Sequence, residues 1–155
     1  MHDMQVNLRY SDPLSDLGLD NFDSVWNLRG LKTVKQLRDR SVEYYDFFYR
    51  GKNRRFYPKR HIQESLSPVK IPLGGLRGAD RDPQGILEFE NICEFRARSF
   101  CTVEPVADCQ KVIGPSQVIS FLITEDFSPY LQLQSLFLEQ RRFLEGLRGH
   151  SGGTY

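Results

Sequence analysis

The chain has 155 residues, 39% hydrophobic and 12% aromatic, with a formal net charge of +1. That length suits one domain with a modest core, and the near-neutral balance carries no global message about partners. The longest apolar run, Val118 to Ile123, is interrupted by Ser120, so nothing is long enough to span a bilayer.

Residues 1–19 read as a loosely ordered, flexible N-terminal segment. They are polar and lack the apolar centre of a signal peptide, so the cytoplasm is the default location. Asp20 or Asn21 can cap a short helix with Phe22, Val25 and Trp26 on one face. Gly30 reads as its terminator, with a phosphate loop as the alternative. Thr33–Leu37 is a short strand. A polar turn, Arg38-Asp39-Arg40, leads to a longer strand at Ser41–Arg50. Gly51-Lys52-Asn53 turns a hairpin, and Arg54–His61 returns. Pro58 donates no ladder hydrogen bond, which predicts an edge or a bulge there.

Charge is uneven along this stretch. From Arg29 to His61 there are eleven Lys/Arg against three acids, Asp39, Glu43 and Asp46. Such a patch predicts an anionic ligand: nucleotide, nucleic acid or anionic lipid. The alternative is an edge hairpin whose cations discourage sheet-to-sheet pairing.

Residues 62–82 are rich in Ser, Pro and Gly and predict a long connection. Asp82-Pro83 announces a helix running to about Arg98, with Asp as cap. Thr102–Cys109 is a strand kinked or placed at an edge by Pro105. Val118–Glu125 is a central, buried strand. Leu133, Leu136, Phe137, Gln140, Leu144 and Leu147 trace one face of a last helix before a frayed tail. The predicted fold is α+β: about five mostly antiparallel strands with one packed helix, plus a C-terminal helix.

Cys93, Cys101 and Cys109 are odd in number and form no Cys-x-x-Cys, which predicts small core or surface residues rather than staples. His2, His61 and His150 do not cluster, and no metal site is expected.

The informative pairing is Lys59 with Glu88. At 100° per residue, Glu88, Ile92 and Phe95 fall nearly in line on the helix, with Phe89 close by. Glu94 can pair instead with Arg98. An acid among apolar neighbours needs a cationic partner, and the preceding strand offers Lys59. A rim glutamate that escapes to solvent is the alternative. A strand lysine held by a helix glutamate is how a protein-kinase small lobe grips ATP phosphates.

Three segments make this specific: Phe56-Tyr57-Pro58-Lys59-Arg60-His61, Glu88-Phe89-Glu90-Asn91-Ile92 with Thr102 downstream, and Ser120 to Asp126. The chain resembles the N-terminal lobe of the bacterial lipopolysaccharide core kinases, which phosphorylate heptose or Kdo sugars. The resemblance covers roughly residues 30–136, within a lobe read as 20–136. It implies that Lys59 contacts the ATP α/β-phosphates and that Glu88 pairs with it. It implies that the backbone of Thr124, Glu125 and Asp126 forms a hinge for adenine. It suggests that the turn carrying Arg38, Arg40 and Ser41 covers the phosphates. Pro58 departs from the family's usual leucine.

No catalytic-loop acid and no later magnesium-holding Asp follow the hinge, and residues 137–155 are too few for a second lobe. The expectation is therefore a lobe with no catalytic residue of its own, an enzyme only by resemblance, and with magnesium only if a second lobe supplies its ligands. Its partners would be that lobe or a second copy, and its place the cytoplasm or the inner face of the inner membrane. The rival is a non-enzymatic module whose rings, Tyr44 to Tyr49 with Phe56 and Tyr57, stack nucleic-acid bases or meet a protein. Nucleic acid is the less favoured ligand, since alternation turns about half of those rings inward.

Overall fold

The computed structural model describes residues 4–65, 83–114 and 117–126. In chain order these form β1 (Gln5–Val6), a 3-10 turn (Leu8–Tyr10), α1 (Ser11–Asp16), α2 (Phe22–Trp26), β2 (Lys32–Gln36), β3 (Arg40–Tyr49), β4 (Lys52–Ser65), α3 (Gln84–Ala97), β5 (Glu104–Gly114) and β6 (Gln117–Glu125). The strands build one six-stranded sheet in the order β1-β5-β6-β4-β3-β2, and every neighbouring pair is antiparallel. The expected helix over 133–147 lies outside the described residues.

The sheet is covered on both faces. One face carries the main core: Phe47, Phe56, Phe121 and Ile123 from the strands meet Tyr10, Leu14, Phe22 and Val25 from the N-terminal helices. Residues 4–19 are therefore not loose. Tyr10 and Leu14 are buried, and β1 pairs with β5 as a sixth strand beyond the five expected. Their apolar residues are too sparse to show a period, and only tertiary burial orders them. α2 begins as expected, with a reciprocal cap between Asn21 and Ser24.

The β3–β4 hairpin turns at Arg50-Gly51, both at positive φ (47° and 80°), starting one residue earlier than the sequence suggested. This is a tight two-residue turn of the kind that matches strand twist. Pro58 does not put β4 at an edge. β4 lies between β3 and β6, and its ladder to β3 lapses between Val42↔Lys59 and Tyr45↔Phe56, where the proline's missing donor falls. Pro105 coincides with a register shift in β5, the predicted irregularity.

α3 lies on the opposite face. Gly85 and Phe89 are its buried residues. Gly85 sits so close to β6 that a Cβ would come within 2.9 Å of the Phe121 carbonyl oxygen. Its N–H donates to Ser120 Oγ at 3.2 Å. Pro83 occupies the N-cap position without a side-chain cap; Asp82, the expected cap, lies outside the described residues.

Candidate functional site

β4 runs through the middle of the sheet, and its alternation sorts the chemistry. Tyr57 and Lys59 point to the α3 face, while Phe56 and Arg60 point to the core face. Lys59 pairs in register with Val42 of β3 and Leu122 of β6. From there its Nζ reaches Oε1 of Glu88 on α3 in a short, charge-assisted hydrogen bond. The two side chains keep 22% and 36% of their exposure, so the pair is shielded but reachable.

Beside the pair lies a cavity of about 370 Å³. α3 supplies Glu88, Ile92 and Phe95, the row read from helical periodicity, and the sheet supplies Tyr57, Leu122 and Thr124. Its size suits a small-molecule site with one ion pair at its edge. A larger groove of about 730 Å³ runs along the hairpin past Phe48, Arg55 and Asp126. We assign chemistry to the smaller one. The arginines of the larger groove are already paired, Arg55 with Asp46 and Arg54 with Glu125.

The expected site residues divide. Lys59, Glu88 and Thr124 meet at the cavity. Asp126 follows directly, and its N–H donates to the Arg55 carbonyl at 2.9 Å. The Asp126 N–H, expected to serve a hinge, is thus committed to β4. Glu125 faces away: its carboxylate accepts from Tyr10 and from Arg54 on the core face. Those two partners hold its carboxyl below the usual range although burial pushes the other way. Ser41 also faces away. It is buried and pairs with Arg60, whose guanidinium donates to the Val25 carbonyl on the core face. Arg38 and Arg40 are exposed at the β2–β3 turn, and Arg40 stands opposite His61 in register.

Six of the eleven cations of the basic stretch pair with carboxylates within or outside it. Lys32 and Arg55 pair with Asp46, Arg60 with Glu43, Arg50 with Asp12, Arg54 with Glu125 and Lys59 with Glu88. Sequence reasoning gave Tyr57 a part only in the rival stacking module, not at this cavity. Its position two residues before Lys59 puts it on the same face, and strand alternation was the signal. Tyr10 was missed because nothing in its own neighbourhood points at β6.

No protein-family model matches the chain, and no curated protein does. A solved structure of WaaP in complex with acyl carrier protein matches with a TM-score of 0.57 at 20% identity, over 91% of this chain and 47% of that one. The fold is a kinase-like small lobe. At the level of the fold, the likeness supports the resemblance to lipopolysaccharide core kinases read from the sequence. The small lobe spans about half the length of the structure it matches. Among its described residues no helix is long and apolar enough to cross a membrane.

Proposed function

We propose that the chain holds ATP for phosphoryl transfer to a sugar of the lipopolysaccharide inner core. The observation that carries this is the Lys59–Glu88 pair at the rim of an otherwise mostly apolar cavity. A partly exposed ion pair contributes only about 0–1 kcal/mol to stability, so its value lies in placing an ammonium. An ammonium fixed there can meet the α/β-phosphates while the purine lies against Tyr57 and Leu122. Backbone groups of Thr124 and Glu125 and the Asp126 carbonyl are the adenine contacts in this reading, the Asp126 N–H being held by Arg55. Arg38 and Arg40 are the exposed cations for the phosphate side, and Ser41 contributes through its backbone alone.

Transfer itself needs a magnesium clamp and an acid that orients the acceptor hydroxyl. In our reading both come with a second lobe, and this lobe alone is not catalytic. The test is a thermal shift with ATP and magnesium. Wild type should be stabilised, and Lys59→Ala or Glu88→Gln should lose most of that shift while melting alike without ligand. No shift in wild type, or equal shifts in all three, contradicts the proposal.

One observation favours a protein partner as well. Among the described residues Arg29, Lys35, Arg38, Arg40 and Lys52 form no ion pair and are exposed, and the matched WaaP structure holds acyl carrier protein. We extend to this chain an anionic protein surface as partner, with binding that weakens steeply with salt. The base-stacking module has less support. Of Tyr44, Tyr45, Phe47, Phe48, Tyr49, Phe56 and Tyr57, only Phe48 is exposed.

A further inference from the structure

We infer that Tyr10 is a positioning residue for the adenine contact, acting through Glu125 from behind the sheet. This rests on the nucleotide reading above. It concerns the N-terminal segment, which that reading leaves without a role.

Glu125 is the last residue of β6 and the middle of the proposed hinge. Thr124, one residue earlier, lines the cavity, while the Glu125 side chain leaves by the opposite face. There it is held twice. Tyr10 donates its hydroxyl to Oε2, and Arg54 donates Nε to Oε1 at 2.5 Å. The Arg54 guanidinium also lies 5.2 Å from the centre of the Tyr10 ring, so the three side chains form one closed unit.

Tyr10 itself cannot drift. Its ring is 2% exposed and packs edge-on to Phe56, the residue opposite Glu125 in β4. The preceding turn is tied to β5 by Asn7, whose N–H donates to the Val106 carbonyl and whose Nδ2 donates to the Pro105 carbonyl, each at 2.9 Å. The next residue, Asp126, is fixed separately through its N–H to Arg55. The end of β6 is thus fastened on its core face and its β4 side.

A strand end frays unless something holds it. Here a phenol and a guanidinium hold its carboxylate, and hydrogen bonds to a charged acceptor are the strong kind. Loosening Glu125 leaves Lys59 and Glu88 untouched, because they sit on the other face and on other elements. The phosphate grip and the adenine contact are therefore separable by mutation.

The experiment compares ATP with inorganic tripolyphosphate, which has the phosphates without the base. Binding of both is measured by titration calorimetry on the full chain, for wild type and Tyr10→Phe, which keeps the ring and its packing. Tyr10→Phe should weaken ATP about threefold to tenfold and leave tripolyphosphate unchanged. Arg54→Lys, which removes the other donor fork, should give the same selective loss and serves if Tyr10→Phe does not fold. Equal weakening of both ligands would reduce Tyr10 to a structural role and overturn the inference. Unchanged ATP binding would overturn it too, with the nucleotide reading intact. A wild type that binds neither ligand would remove the nucleotide reading and this inference together.

Discussion

Lys59 and Glu88 were legible because each obeys a simple period. Strand alternation puts Lys59 on one face, and helical phase puts Glu88 in line with Ile92 and Phe95, all four now around one cavity. Glu125 and Ser41 show where that legibility stops. Sequence proximity to the site says nothing about facing, and alternation sends both side chains to the core face. Asp108 was not singled out at all. It is 1% exposed on the α3 face of β5, and its Oδ1 has no hydrogen-bond partner among the described residues. Burial, and then the charge of Glu90, push its carboxyl up to about 7. An unfolded aspartate titrates near about 4. Between those values the folded state binds a proton that the unfolded state lacks, so this group's contribution to stability falls as pH rises through that window. Asp108→Asn should therefore gain on wild type as pH rises from about 5 to about 8, read as a widening difference in Tm. A difference independent of pH would mean that Asp108 is ionised throughout.

At the scale of elements, the strands that bury one face or two were readable, and so was α3. The missed elements, β1 and α1, are short and carry few apolar residues. Their order comes from Tyr10 and Leu14 entering a core whose strand residues, from Phe47 to Ile123, lie far along the chain. Pro58 misled for a related reason. A proline bars a donor on one side only, and the lapse in the β3 ladder absorbs it while β4 stays central. The junction of α3 with β6 depends on Gly85. Because a Cβ there would meet backbone, at 2.9 Å from the Phe121 carbonyl oxygen, Gly85→Ala has to push the helix outward. The expected cost is about 1–3 kcal/mol, read as a lower urea midpoint at unchanged slope. Nucleotide binding should weaken with it, since Glu88 rides on the same helix. An alanine variant as stable as wild type would show that α3 is not seated this closely.

For the whole molecule, the α3 side combines a cavity with apolar surface. Phe95 and Phe100 pack edge to face at 5.9 Å yet stay 51% and 60% exposed, and Phe95 also lines the cavity. Exposed rings clustered beside a site favour association. In dilute solution the chain should elute in gel filtration as a concentration-dependent mixture, and Phe100→Ser should move it toward monomer. A wild type that elutes as a monomer at every concentration would contradict this. The central claim, that Lys59 grips a nucleotide's phosphates, has a more direct test. An adenosine carrying a sulfonyl fluoride where the phosphates would be sulfonylates a nucleophile held beside the bound nucleoside; with an amine, a nitrogen–sulfur bond forms as fluoride leaves and the nitrogen gives up a proton. Peptide mapping should find one principal modified residue, Lys59, with labelling suppressed by excess ATP and absent in Lys59→Ala. Labelling scattered over the surface lysines and indifferent to ATP would contradict the claim.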